Sequence, residues 1–196
     1  MILPIVAYGA PVLKKEAAEI SEEYPNLDQL IENMWETMYA SNGVGLAAPQ
    51  IGLSIRLFVI DTAPFSEDDE LDELEAETLK SFKKVFINPV VIEEDGSLWE
   101  FNEGCLSIPD VREDVSRHER IKIHYFDQQF KEQELVLTGL VARVVQHEYD
   151  HIDGVLFTDK LSSLKKRMIK GKLTQISKGL IRGDYRMKYP LAKKKR

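Results

Sequence analysis

His147 and His151 stand four residues apart, with Glu148 directly after the first, in a segment whose apolar residues Leu140, Val141, Val144, Val145 and Ile152 recur at near-helical spacing. On a helix, positions i and i+4 share a face, so the spacing predicts a helix that aims two imidazoles at one ion. The rest of such a chain must fold around that helix, because a third ligand has to come from elsewhere. Glu148 lies about 100° round the helix from His147. That is a poor place for a ligand on the same face and a good one for a general base acting on metal-held water. Two satisfied core histidines are the plainer reading. With only four histidines in 196 residues, however, a chance His-Glu-x-x-His is rare. Gln146 and Asp150 flank the pair as candidates to orient the rings.

The one cysteine, Cys105, excludes an intramolecular disulfide. It lies in Asn102-Glu103-Gly104-Cys105-Leu106-Ser107-Ile108-Pro109. A lone cysteine is often a small buried hydrophobe. Here a thiolate would complete a tetrahedral site of His147, His151 and Cys105 with one position left for water, as a hydrolytic metal needs. A Cys–His nucleophile pair is the competing idea, and it lacks an orienting partner.

A chain of 196 residues, 43% hydrophobic and 30% charged, is long enough for one substantial core, and one catalytic domain over residues 1–196 is expected. No apolar run reaches membrane-spanning length, and Met1-Ile2-Leu3-Pro4-Ile5 lacks the pattern of a secretory signal, so a cytoplasmic protein with no membrane partner is expected. The net charge of −7 hides an asymmetry: residues 160–196 hold fourteen Lys and Arg against one acid, and residues 1–159 hold twelve basic against thirty-two acidic residues. A basic C-terminal segment on an acidic body suggests a polyanionic partner for that segment, or simply a solvated tail.

Residues 26–41 carry a one-sided apolar stripe (Leu27, Leu30, Ile31, Met34, Trp35, Met38), a helix with Asn26 as N-cap. Residues 56–60 read as a buried strand. Residues 63–84, rich in Asp and Glu, read as an exposed, mobile surface insertion with a helical turn or two. A strand is expected over residues 84–93, with an edge or bulge at Asn88-Pro89. Further strands are expected over residues 98–101, 119–127 and 132–137, the last two joined as a hairpin through Asp127-Gln128-Gln129. The fold class is therefore α+β: antiparallel or mixed β-sheets packed around a central metal-binding helix, with an N-terminal and a C-terminal helix.

Between the first helix and the buried strand lies Asn42-Gly43-Val44-Gly45-Leu46-Ala47-Ala48-Pro49-Gln50-Ile51-Gly52, a tight loop whose backbone can approach a ligand. It lacks the Gly-Lys-Ser/Thr ending of a phosphate cradle. Gly43-Val44-Gly45-Leu46-Ala47-Ala48-Pro49-Gln50, Glu103-Gly104-Cys105-Leu106-Ser107 and Gln146-His147-Glu148-Tyr149-Asp150-His151 together resemble, in order, the three signature motifs of the peptide deformylases, in their bacterial, type 1 form. The likeness runs from the N-terminus to about residue 165. The acidic stretch 63–84 looks longer than its usual counterpart, and the C-terminal extension is longer and unusually basic.

The resemblance implies hydrolytic removal of the N-formyl group from the initiator methionine of nascent bacterial proteins. It implies one divalent metal per chain, Fe(II), with zinc, nickel or cobalt able to replace it. Metal-bound water is then the nucleophile and Glu148 the general base and acid. The oxyanion donors would be the Gln50 side-chain amide and the Leu106 backbone N–H. The substrate would lie extended against Gly45, with Val44, Leu140 and Val144 walling the methionine pocket, Arg143 at its rim and Arg112 near the following residue. Glu103 would orient the site, paired with Arg117, or serve as a structural ion pair. The C-terminal helix, over residues 159–172, would dock through Leu161, Leu164, Met168 and Ile169, and the basic residues 165–196 would contact ribosomal RNA, with a tail disordered beyond Gly183 when free. Two other classes compete: a zinc-dependent peptidase of the His-Glu-x-x-His type, and a non-catalytic ribosome-associated binder.

Overall fold

The computed structural model of the chain describes residues 1–68 and 70–192. In chain order the elements are β1 (Ile5–Val6), α1 (Leu27–Ala40), β2 (Gly45–Ala47), β3 (Leu57–Asp61), α2 (Glu73–Ser81), β4 (Lys83–Cys105), β5 (Ile108–Phe126), β6 (Glu132–Thr138), α3 (Gly139–Ile152), α4 (Ser163–Ser177) and β7 (Met187–Lys188). Strands β2-β3-β4-β5-β6 form one antiparallel sheet in that order, and β1 and β7 form a separate parallel pair.

Period-two alternation decides which helix each face of the sheet meets. Phe58, Ile60 and Phe86 pack with Ile121, Ile123, Ala142 and Val145, so α3 covers one face. Leu57, Val59, Val85 and Ile87 pack with Ile31, Met34 and Met38, so α1 covers the other. A strand buried on both faces reads as an unbroken apolar run, which is how residues 56–60 read in sequence. The α+β arrangement around a central helix is as expected.

The strands run further than expected. Residues 84–93 and 98–101 belong to one strand, β4, and the strand expected to start at residue 119 starts at Ile108. The polar residues that hid this continuity pair across the ladder: Arg120 bridges Asp95, and Asn102 Nδ2 donates to Asp114 Oδ1 at 2.8 Å. The register shifts at Ile87/Val90 and at Gly104/Cys105. The first is the bulge expected at Asn88-Pro89. The second turns the end of β4 just where Cys105 sits. The β5–β6 hairpin also forms, with Phe130 taking the left-handed conformation (φ 53°) that glycine usually fills.

Three helical details depart from the sequence reading. Asn26 sits at the N-cap of α1 but in a left-handed conformation (φ 55°), without a side-chain capping bond. The acidic insertion is tethered: Leu79 of α2 is buried, and Thr62 Oγ1 donates to its carbonyl at 2.7 Å. Helix α4 starts later, with Ser162 capping Lys165 N–H, and it docks through Ile169, Leu173 and Ile176. Leu164 and Met168, expected to dock, are 65% and 73% exposed because the Ile169-Leu173-Ile176 stripe wins the core-facing side. The tail beyond Gly183 is ordered as far as residue 192, with Ile5 N–H donating to Arg186 O and Ala7 N–H to Lys188 O, each at 2.9 Å. Residues 193–196, included in the expected disorder, lie outside the described residues.

Asn88 fastens the bulge to the N-terminal segment: its Oδ1 accepts from Ile20 N–H at 2.9 Å and its Nδ2 donates to Ile20 O at 2.7 Å, from a left-handed φ of 47°. Asn88→Ala loses both bonds and strains the backbone, so it lowers stability by about 2–4 kcal/mol. Asn88→Gly, free of the strain, costs less. Urea unfolding checks the order, and an Asn88→Ala midpoint equal to that of the native chain contradicts it.

Candidate metal centre

Helix α3 is buried nearly all round, and its His147 and His151 rings lie 5.1 Å apart, centroid to centroid, on the side facing the end of β4. The bulge there delivers the third donor: single donor atoms of Cys105, His147 and His151 all lie within 4.8 Å of one another, and Cys105 Sγ is 3.2 Å from His151 Nε2. The three ligands expected from sequence converge.

Glu103, two residues before Cys105 and therefore on the same face of β4, organises the next layer. It receives a two-pronged grip from Arg117, Nε to Oε1 at 2.7 Å and Nη2 to Oε2 at 2.9 Å, and Arg143 Nη1 adds a bond to Oε1 at 3.0 Å. Burial works against its charge, but Arg117 and His147 outweigh it and hold the carboxyl well below the usual range. The ionised Oε2 lies 2.9 Å from His147 Nδ1. A carboxylate can only accept, so Nδ1 carries the proton and Nε2 is left to face Cys105 and His151.

The surroundings suit a cation. Burial opposes a charge on His147, yet Cys105 and Glu103 overcome it and push the ring upward, and a field that draws a proton draws a metal ion too. His151 is pushed well down, by burial and then by His147, which leaves a neutral imidazole with a free lone pair. A soft sulfur with two imidazoles fits iron, zinc, nickel or cobalt.

Glu148 is buried, and its Oε2 has no hydrogen-bond partner among the described residues. Burial, foremost, lifts its carboxyl to about 7, in the range where a group both accepts and returns a proton near neutrality. It fits because residue 45 is glycine: a Cβ there would stand 2.7 Å from Glu148 Cδ. The glycine loop thus makes room for the Glu148 carboxyl. In the 3-10 turn Ala48–Ile51, Gln50 Oε1 accepts from Ala47 N–H at 2.8 Å. That donor forces the amide nitrogen the other way, to 3.5 Å from Cys105 Sγ.

A cavity of about 590 Å³ opens beside these groups, with Val44, Gly45, Leu106, Arg112 and Val144 on its walls. Leu140 instead lines a second cavity, of about 540 Å³, that shares Phe101 with the first. Arg143 touches the first cavity, but it is 1% exposed rather than at the rim. Its guanidinium is spent on Glu103, on Trp99 O at 2.7 Å and on the Trp99 ring face. Of the two flanking residues, Asp150 Oδ2 accepts from Arg117 at 2.6 Å and Gln146 Nε2 donates to His118 O at 3.0 Å, so neither orients a histidine ring and Glu103 fixes that of His147. Sequence reasoning missed the C-terminal residues Arg182, Asp184 and Tyr185, which also line the cavity. They sit in a stretch read as a segment contacting RNA or a solvated tail, and Tyr185, Met187 and Tyr189 were the signals for packing.

A model of the polypeptide deformylase family matches residues 2–167. The chain is 61% identical over 196 residues to the peptide deformylase of Christiangramia forsetii and 59% identical over 196 residues to that of Flavobacterium johnsoniae, with all of each chain covered in both comparisons. Among solved structures it resembles the peptide deformylase of Thermus thermophilus (TM-score 0.76, 40% identity, 90% of this chain and 98% of that one) and that of Legionella pneumophila (TM-score 0.74, 38% identity, 89% and 95%). These matches disfavour a zinc peptidase that merely shares the His-Glu-x-x-His spacing. With the three signature motifs gathered at one cavity and the likeness extending over the whole length, the chain belongs to the peptide deformylase family.

Proposed function

We propose that Cys105, His147 and His151 hold one divalent cation, Fe(II) in the cell, and that Glu148 is the proton-transferring group beside it. The observation that carries this reading is the convergence of the three donors within 4.8 Å. As a member of its family the chain removes the N-formyl group from the initiator methionine of nascent peptides, releasing formate and a free amine. When bound, the cation supplies Lewis-acid polarisation and acidifies the attacking water. The chain's own groups do the rest. Glu148 takes the proton of the attacking water and delivers it to the departing amine. The Gln50 amide and the Leu106 backbone N–H donate to the formyl oxygen as negative charge builds on it.

Strand β2 is at the edge of its sheet, so its outer side is free to pair with an extended peptide at Val44 and Gly45. Val44, Val144 and Phe101 then flank the methionine side chain, with Leu140 beyond, and Arg112 faces the residue that follows. Arg143 and Glu103 serve the site from behind, by fixing the His147 ring. In this reading all 196 residues act as one cytoplasmic catalytic domain.

The basic segment 165–196 is assigned to ribosomal RNA. On α4, Lys166, Arg167, Lys170 and Lys172 are exposed beside Leu164 and Met168. Cosedimentation with purified ribosomes should weaken steeply as salt rises and vanish when these four cations become Glu, while turnover of short peptides is retained; binding indifferent to salt contradicts the assignment.

For the chemistry, anaerobic formate release from a formyl-Met peptide compares the native chain with Glu148→Ala. The variant should keep one metal per chain and lose about 10²–10⁴-fold in turnover. Full activity with metal retained overturns the role of Glu148.

A further inference from the structure

The hairpin turn that carries the chemistry is held from outside by both ends of the chain. Leu106 and Ser107 form the turn between β4 and β5, directly after the ligand Cys105. Ser107 O accepts from Tyr8 N–H at 2.8 Å, and Leu106 O accepts from the Tyr185 hydroxyl at 2.6 Å across 79 residues of sequence. Tyr8 and Tyr185 are themselves joined by the β1–β7 pair, in which Ile5 lies opposite Met187 and Val6 opposite Lys188. Residues 182–185 also form part of the wall of the catalytic cavity. The C-terminal segment therefore reaches the site as well as the sheet behind it.

We propose that Tyr185 is a positioning residue for hydrolysis: its hydroxyl fixes Leu106, and so holds the Leu106 N–H aimed at the reacting carbonyl. The proposal rests on the assignment of that N–H as an oxyanion donor. A two-residue turn has few internal restraints, and rotation about the Leu106 backbone would swing the donor off target. Two bonds to consecutive carbonyls remove that freedom. The phenol is half-buried and burial pushes it up from its ordinary value, so it stays a donor across the working range of the enzyme. Ser107 beside it is fully buried, which shields its bond from Tyr8.

Tyr185→Phe deletes the hydroxyl and leaves the ring that packs the cavity wall. In metal-loaded enzyme, kcat on a formyl-Met peptide should fall about 5–30-fold, a fraction of the 10²–10³ lost with a whole oxyanion donor, with KM within twofold and metal content unchanged. Hydrogen exchange should accelerate in the peptide covering residues 104–108 and not in α3. Unchanged kcat, unchanged exchange at 104–108, or loss of metal together with activity would each overturn the proposal, the last by showing a merely structural tether. Faster exchange in the variant alongside native enzyme that releases no formate would sink the deformylase assignment and leave the clasp standing, which keeps the two failures apart.

Discussion

The site depends on a carboxylate kept charged inside the protein. Glu103 is 4% exposed, and an unpaired anion there would cost several kcal/mol. Arg117 grips both of its oxygens, Arg143 binds one, and the ionised group then fixes the His147 ring. Removing Arg117 leaves this buried charge with only the single Arg143 bond beside the His147 ring. Stability and ligand geometry are thus the same interaction seen from two sides. Arg117 in turn reaches Asp150 on α3, so the network sews the β4–β5 ribbon to the helix that supplies two of the three donors.

The architecture gives each component a reason to be where it is. Strand β3 is buried on both faces, and its sheet packs against α3 through β2, β3, β5 and β6. A bulge at the end of β4 brings sulfur to the helix. A glycine at the start of the edge strand β2 clears the space that Glu148 fills. The β1–β7 pair then closes over the turn after Cys105. None of these pieces is a site alone, and their meeting point is fixed by strand register more than by any loop.

Much of this was legible in the residues because the chemistry is written in short spacings. The His147–His151 interval, the lone Cys105 and the glycines before Gln50 mark residues that the fold does bring together, and the apolar stripes of α1 and α3 follow helical period. What stayed hidden depends on distant pairing. Residues 94–97 read as a break between two strands, since only the opposite strand supplies Arg120 to satisfy Asp95. Arg143 read as a rim residue because helical phase shows which way a side chain points but not that Glu103 waits there. On α4, the expected stripe of Leu161, Leu164, Met168 and Ile169 is buried only at its two ends, because the surface the helix meets selects Ile169, Leu173 and Ile176. Residues 183–192 read as a free tail because a two-residue parallel strand leaves no periodic trace.

Sharing of one ion by Cys105, His147 and His151 is open to X-ray absorption on protein loaded anaerobically with Fe(II). One iron per chain is expected, bonded to one sulfur and two imidazole nitrogens, with the sulfur contribution lost in Cys105→Asp. A native spectrum without a sulfur neighbour, or one unchanged by that substitution, would contradict it.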